Sequence, residues 1–322
     1  MLNIIWNVWL VVFFALLIHD QLNNTIAMRY SLLLYFSLSV FTLMSCKEDN
    51  QLAGLQEMDG LVALWDFKEE GGKARKALGK GGFPLKEMNG EIQRIPEGPL
   101  SGYSALMENE AYFSLGHEKT ADLNIYGKNQ GVTVMAWVKW EGKTGFVGGM
   151  WNEYTDGGKR QYGLFVDLPH YNGASQVCGH ISYSGGPTPP FPYSCDYAAS
   201  KQKLTKGKWH NIAFSYDGEY IKAYLDGVFE ERAPELINNT KGFEGLPDGL
   251  IHSKNPYLFK DGMGDNGSDF TVGAVVLSRG MGNFFNGQIG GLAVFDRELT
   301  ENEISEIFQK TMVENPFMNK EQ

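Results

Sequence analysis

The chain has 322 residues, with 28 Lys and Arg against 38 Asp and Glu, giving a net charge of −10. That acidic balance argues against nucleic acid as a partner, since phosphate backbones are bound through clustered Lys and Arg. The length suits one large β-structure rather than two domains, and the 39 Gly and 13% aromatic content suit wide strands joined by many turns.

Two apolar runs open the chain, at about 4–18 and 30–44, each shorter than the ~20 residues a membrane-spanning helix needs. The second follows Met28-Arg29 and ends in Leu43-Met44-Ser45-Cys46, the order of a secretion signal. Met28 is the expected start. Leu43-Met44-Ser45-Cys46 resembles a bacterial lipobox, which implies that Cys46 carries lipid after residues 1–45 are removed. Lys47-Glu48-Asp49 resembles the signal that sends some lipoproteins to the outer surface. Removal of 1–45 takes away Asp20 and Arg29 and leaves the charge at −10. A tether over 46–59 then precedes the body, 60–310, and a tail, 311–322.

Gly60–Phe67 is the first predicted strand, with Leu61, Ala63, Trp65 and Phe67 on one face. Val132–Trp140 is apolar on both faces and therefore central. Gly163–Asp167 and Gln176–Ile181 read as a pair about a Tyr171-Asn172-Gly173 turn. Next comes the strongest local signal, two alternating strands around Asp217-Gly218, closed by Asp226-Gly227. Ile221, Ala223 and Leu225 share one face of its second strand, and Tyr220, Lys222 and Tyr224 the other, giving a dry side and a usable side. Phe270–Ala274 and Gln288–Asp296 are the last strands. Thr300 and Glu303 then form a capping box ahead of an Ile304, Ile307, Phe308 stripe, the pattern of a short helix. There is no internal repeat, low-complexity tract or inter-module linker.

The sequence Trp209-His210, Tyr216-Asp217-Gly218 and Tyr224-Leu225-Asp226-Gly227 resembles the laminin-G-like, or concanavalin A-like, jelly roll, over about Gly60 to Phe308. The resemblance implies an all-β fold: a two-sheet antiparallel sandwich with a short C-terminal helix. It also implies a structural role for His210. Family members often carry Gly-x-Ile-Asp-Glu in the last strand, where the Asp helps hold calcium. Here the run is Gly287-Gln288-Ile289-Gly290-Gly291, which puts that site in doubt. Asp261, Asp265 and Asp269 offer hard oxygen ligands in a Gly-rich loop, although their spacing favours a solvated loop. No cofactor is expected, with structural calcium as the alternative.

Cys178 and Cys195 remain to pair in an oxidising envelope, a closure worth about 3 kcal/mol, with two free buried thiols as the alternative. The Pro-rich segment Gly148–Tyr197 reads as an ordered excursion over the sandwich and the place for a binding site. Within it, Trp151, Asn152, Glu153, Arg160, Tyr162, His180 and Tyr193 are the expected carbohydrate-binding residues. Rings stack on sugar faces, and amide, carboxylate and guanidinium groups bond to hydroxyls. Packing weighs evenly against a site role for Trp151, and Arg160 has Glu153 or Asp156 as a surface partner. Trp65, Trp137, Trp140 and Trp209 are read as packing residues.

Catalytic patterns fare worse. Glu57-Met58-Asp59, Glu108-Asn109-Glu110 and Glu301-x-Glu303-x-x-Glu306 each fail the one-strand carboxylate arrangement of sandwich glycosidases, so no catalytic residue is assigned. A polysaccharide lyase would draw on His180, Tyr162 or Tyr193 as base and Arg160 as cation. The expectation is therefore a lipid-anchored protein of the outer membrane surface that binds extracellular polysaccharide. A lyase or glycoside hydrolase acting on an acidic glycan, or a protein-binding adhesion or assembly subunit, stands as the alternative.

Overall fold

The computed structural model describes residues 52, 54–153, 158–189, 193–237, 250–277 and 280–315. The expected signal segment and Cys46 lie outside these residues, as does the 316–322 end. Among the described residues, two large sheets of ten and nine strands stand beside a two-stranded ribbon, Glu235–Ile237 with Leu250–His252. Pairing is antiparallel apart from one parallel contact between Val276 and Asn152.

The first sheet runs Val228–Phe229, Tyr220–Leu225, Trp209–Tyr216, Val132–Trp140, Gly287–Phe295, Leu61–Trp65, Leu78–Gly79. The second runs Tyr197–Ala199, Gly173–Ile181, Lys159–Leu168, Gly145–Asn152, Phe270–Val272, Tyr112–Leu115, Lys86–Met88. Sequence neighbours are often on different sheets, and the opening strand pairs with the closing one, Trp65 opposite Leu292. A two-sheet sandwich of this kind buries one face of each sheet against the other. Val134, Ala136, Val138, Phe214, Ile221 and Leu292 meet Tyr162, Leu164, Val166, Val177 and Ile181 in a single core.

The hairpin forms as its turns dictate. Asp217 Oδ1 accepts from the Glu219 and Tyr220 amides, the Asx turn that a short side chain favours. At the second turn Asp226 and Gly227 both have positive φ, 52° and 76°, which matches the twist of the flanking strands. His210 is structural: its Nδ1 bonds Asp226 Oδ2 at 2.8 Å while Nε2 accepts from the Thr205 amide at 3.0 Å. That pattern requires the Nδ1–H tautomer of a neutral ring.

The other face of that sheet, expected to be open, is covered at Tyr224 and open at Tyr220. The helix Glu301–Phe308, capped as its sequence prescribes, lays Ile304 and Ile307 against Trp137, Ala213 and Tyr224. Trp137 Nε1 donates to Thr311 Oγ1 in the π-helical turn that follows, so the C-terminal segment covers the Tyr224 part of this face, while Tyr220 stays exposed. Arg297 holds the Glu303 carboxyl down to about 2, which commits that carboxylate to the cap and an ion pair.

Candidate functional site

The segment read as an excursion contains three central strands of the second sheet, and its described non-strand stretches include 182–189 and 193–196. Alternation along these strands sends Tyr162, Leu164, Val177 and Ile181 inward and Trp151, Phe165, Cys178, His180 and Tyr197 outward. His180 lies opposite Gly163 on one neighbour and Tyr197 on the other. A Cβ at Gly163 would meet Phe146, Phe165 and Trp151 ring carbons at 3.0–3.4 Å, so the missing side chain is what lets these rings converge. His180 sits 4.8 Å from Trp151 edge-on, 5.0 Å from Phe165 and 4.6 Å from Tyr197 in a stack.

This outer face is covered. Tyr171, Cys195, Val275 and Leu277 pack onto the rings, leaving Trp151 1% and His180 3% exposed. Neither His180 nitrogen has a hydrogen-bond partner among the described residues, and burial drives its pKa well below the ordinary histidine range. It is a neutral packed ring, unsuited to take a proton from a substrate it cannot reach.

Four of the residues expected to line a binding surface are therefore closed to a polysaccharide: Trp151, Arg160, Tyr162 and His180. The physical reason is that these strands are apolar on both faces, and both faces find cover. Trp151 Nε1 donates to Glu153 Oε1 at 3.1 Å, and Glu153 Oε2 lies 3.8 Å from Arg160 Nη2. Arg160 Nη1 donates to the Gly185 carbonyl. Tyr162 points into the inter-sheet core, its hydroxyl donating to the Leu123 carbonyl, and burial pushes its phenol far upward. Tyr193 is exposed but lies apart, over His170 at 6.1 Å. Asn152 and Glu153 are half-buried. The structure thus joins Trp151, Glu153, Arg160 and His180 as a packed group, without Tyr162 or Tyr193.

Replacing Trp151 by Phe removes the bond to Glu153 and part of the ring volume. It is expected to lower unfolding free energy by about 1–2 kcal/mol, read by urea denaturation, with retention on polysaccharide unchanged. Lost retention at unaltered stability would return Trp151 to the site.

The expected disulfide is not formed. Cys178 and Cys195 are free, buried thiols, and Cys178 Sγ is turned toward the Gly173 and Gln176 carbonyls at 3.7 and 3.6 Å. Burial raises them to about 12 and about 11, respectively. Beside them is a residue the sequence did not flag. Lys254 is 1% exposed, donates to the Tyr197 carbonyl at 3.0 Å, and lies 3.3 Å from the Tyr197 ring centroid. Burial lowers its ammonium to about 7. Nothing in Ser253-Lys254-Asn255-Pro256 marks it as more than a polar loop.

The open surface lies at the rim, where three segments meet. Gly127 bridges Met263 through both backbone bonds, and the next amide, Gly264, donates to the Ser182 carbonyl on the opposite side. Two exposed rings thereby flank Met263–Asn266: Tyr126, 54% exposed, and Tyr183, 57%. The approach is close enough that a Cβ at Gly264 would fall 1.9 Å from the Tyr183 carbonyl oxygen, so only glycine fits. Polar groups fill the same rim: Asn124 Nδ2 donates to Asp265 Oδ1, Gln161 Nε2 to Asn124 Oδ1, and Asn266 Nδ2 to the Tyr183 carbonyl. Glu153 adjoins through Arg160 and Gly185.

Asp261, Asp265 and Asp269 are exposed and do not act as a set. Asp265 takes the Asn124 bond, Asp269 accepts from the His117 amide, and no three His, Cys, Asp or Glu among the described residues gather as metal ligands.

Residues 111–245 match the family model of the concanavalin A-like lectin/glucanases superfamily. The described body is a two-sheet antiparallel sandwich followed by a short helix, Glu301–Phe308, and residues 111–245 within it are the part the concanavalin A-like match covers. Domain 4 of AbnA, a GH43 extracellular arabinanase from Geobacillus stearothermophilus in complex with arabinotriose, aligns at 16% identity and TM-score 0.49. That alignment covers 79% of this chain and all of that one. Trypanosoma rangeli sialidase, in complex with 2,3-difluorosialic acid as a covalent intermediate, aligns at 14% and 0.46, covering 87% of this chain and 40% of the sialidase. The binding domain of botulinum neurotoxin DC in complex with SialylT aligns at 10% and 0.46, covering 79% of this chain and 52% of the other. Comparison with curated protein sequences gives no match.

Proposed function

We propose that this chain is a carbohydrate-binding protein whose contact surface is the rim around Tyr126 and Tyr183. One observation carries the reading: two tyrosines, each more than half exposed, have their backbone neighbours hydrogen-bonded to one segment, Met263–Gly264, among side-chain amides and carboxylates. Exposed rings offer flat apolar faces, and fixed side-chain amides and carboxylates take directed hydrogen bonds from hydroxyls. The superfamily's lectins and the arabinotriose bound by the arabinanase domain fit that chemistry. Tyr183 lies in the segment singled out from the sequence; Tyr126 does not.

The expected test is direct. After a glycan array selects a ligand, Tyr183→Ala and Tyr126→Ala should each weaken binding about tenfold, a loss of about 1.4 kcal/mol, with melting unchanged. Full affinity in both variants would remove the rim from the account. The lyase alternative is not favoured, since His180, Tyr162 and Arg160, which it would use, are enclosed.

The same proposal places the sandwich outside the cell, held at the outer membrane through lipid on Cys46. The lipobox-like Leu43-Met44-Ser45-Cys46 supports this. Cys46→Ser should abolish incorporation of labelled fatty acid and release the protein from the membrane fraction; unchanged fractionation would contradict it.

A further inference from the structure

Resting on the carbohydrate reading of this rim, we infer that its ligand is an uncharged glycan rather than a uronate- or sialate-bearing one. The charged groups around the two tyrosines are mostly acidic. Asp265 is bonded to Asn124, Asp269 to the His117 amide, Asp122 lies two residues from Asn124, and Asp261 adjoins Gly262, which packs on Lys128. Glu118 and half-buried Glu153 add to them. Against these carboxylates stand Lys80, which pairs with Asp296 and is also drawn by Asp122, and Lys119, 3.8 Å from Glu118, together with Lys128 and Lys159, while Lys260 pairs with Glu219.

Among the described residues, the guanidinium in the group does not offset this. Arg160 is 3% exposed, with Nη1 on the Gly185 carbonyl and Nη2 facing Glu153. A sugar carboxylate brought here would give up hydration beside like charge, with no bidentate cation to receive it. Sugar hydroxyls, by contrast, donate to carboxylates in charge-assisted hydrogen bonds, the stronger kind. An acidic rim with its arginine turned inward thus selects neutral chains.

Affinity electrophoresis on neutral polysaccharides (arabinan, xylan, mannan, β-glucan) and on polygalacturonate and alginate tests the inference. Neutral gels should retard the protein roughly tenfold more strongly than anionic ones at low salt, and Tyr183→Ala should weaken that retardation about tenfold. Asp122→Lys with Asp261→Lys should add retention on polygalacturonate that vanishes at high salt, because exposed charges are screened there. Tyr183-dependent retention of the unaltered protein on anionic gels, with or without neutral ones, overturns the inference and leaves the carbohydrate reading standing. Retention on no gel, with no hit on a glycan array, overturns both.

Discussion

Asn255→Leu should destabilise the sandwich by about 4 kcal/mol, because it strips partners from several buried backbone groups at once. Asn255 is fully buried, and its side chain behaves as a missing strand. Oδ1 accepts from the Ala223 amide at 2.9 Å, and Nδ2 donates to the Ala223 carbonyl at 3.0 Å and the Glu230 carbonyl at 2.9 Å. Its own carbonyl takes the Arg232 amide, while the neighbouring Lys254 carbonyl takes Ala199 on the other sheet. One short segment therefore stitches the sheets together at this edge. Leucine fills a similar volume but satisfies none of these groups, and each unsatisfied one costs about 1–3 kcal/mol. Asn255→Asp keeps an acceptor and loses both donors, so it should fare little better. Urea denaturation gives the answer, and a leucine variant within about 1 kcal/mol of the parent would show that Asn255 does not hold this edge.

Stability should rise as pH increases from about 7, reach a maximum near 8 to 9, and fall beyond it. Lys254 sets the rising limb. Its folded-state pKa, about 7, lies below the unfolded value, so between the two the unfolded chain binds the extra proton and stability climbs with pH. Burial is the main cause. Arg232 adds to the depression, the buried thiols and Asp196 oppose it, and the Tyr197 and Tyr257 rings complete the surroundings. The slope is about 1 kcal/mol per pH unit. His180 acts in the same sense at lower pH: held neutral when folded, it favours the unfolded state as pH drops below the ordinary histidine range.

Cys178 and Cys195 set the falling limb. Their folded values of about 12 and 11 stand above the unfolded thiol value, so stability is lost once unfolded thiols ionise above about 8.5. Chemical denaturation across this range should show the dome, and Lys254→Met should flatten its rise between pH 7 and 8.5. A parent protein of constant stability there, or a methionine variant that keeps the slope, would show that Lys254 is not neutralised by folding.

The fold was legible where local chemistry and tertiary packing agree. Val132–Trp140 is a strand over its whole predicted length, and Asp217-Gly218, Asp226-Gly227 and the Thr300 cap do what their side chains prescribe. Predicted Gly60–Phe67, Phe270–Ala274 and Gln288–Asp296 are observed as Leu61–Trp65, Phe270–Val272 and Gly287–Phe295. Sequence periodicity identifies which residues share a face but not what covers that face. Trp151 and His180 were expected in an excursion over the sandwich; they lie instead on one face of the second sheet, which Cys195, Val275 and Leu277 arrive from distant sequence to bury. Tyr224 sits beneath the C-terminal helix for the same reason.

The open rim was hidden by the converse effect. Tyr126, Tyr183 and Asp265 are scattered in the chain with no shared spacing, and the Gly127–Met263 bridge, the Gly264–Ser182 bond and the Asn124 and Asn266 side chains bring them together. Lys254 and Asn255 were equally silent, since a polar loop residue and a buried strand mimic look alike in sequence.

A crystal structure of the protein bound to the neutral oligosaccharide chosen by glycan array would test the account most directly. Sugar rings should lie against Tyr126 and Tyr183, with hydroxyls within hydrogen-bond reach of Asp265 or Asn266. Sugar bound instead beside Tyr193 and His170, or anywhere else away from the Met263–Asn266 segment, would contradict it.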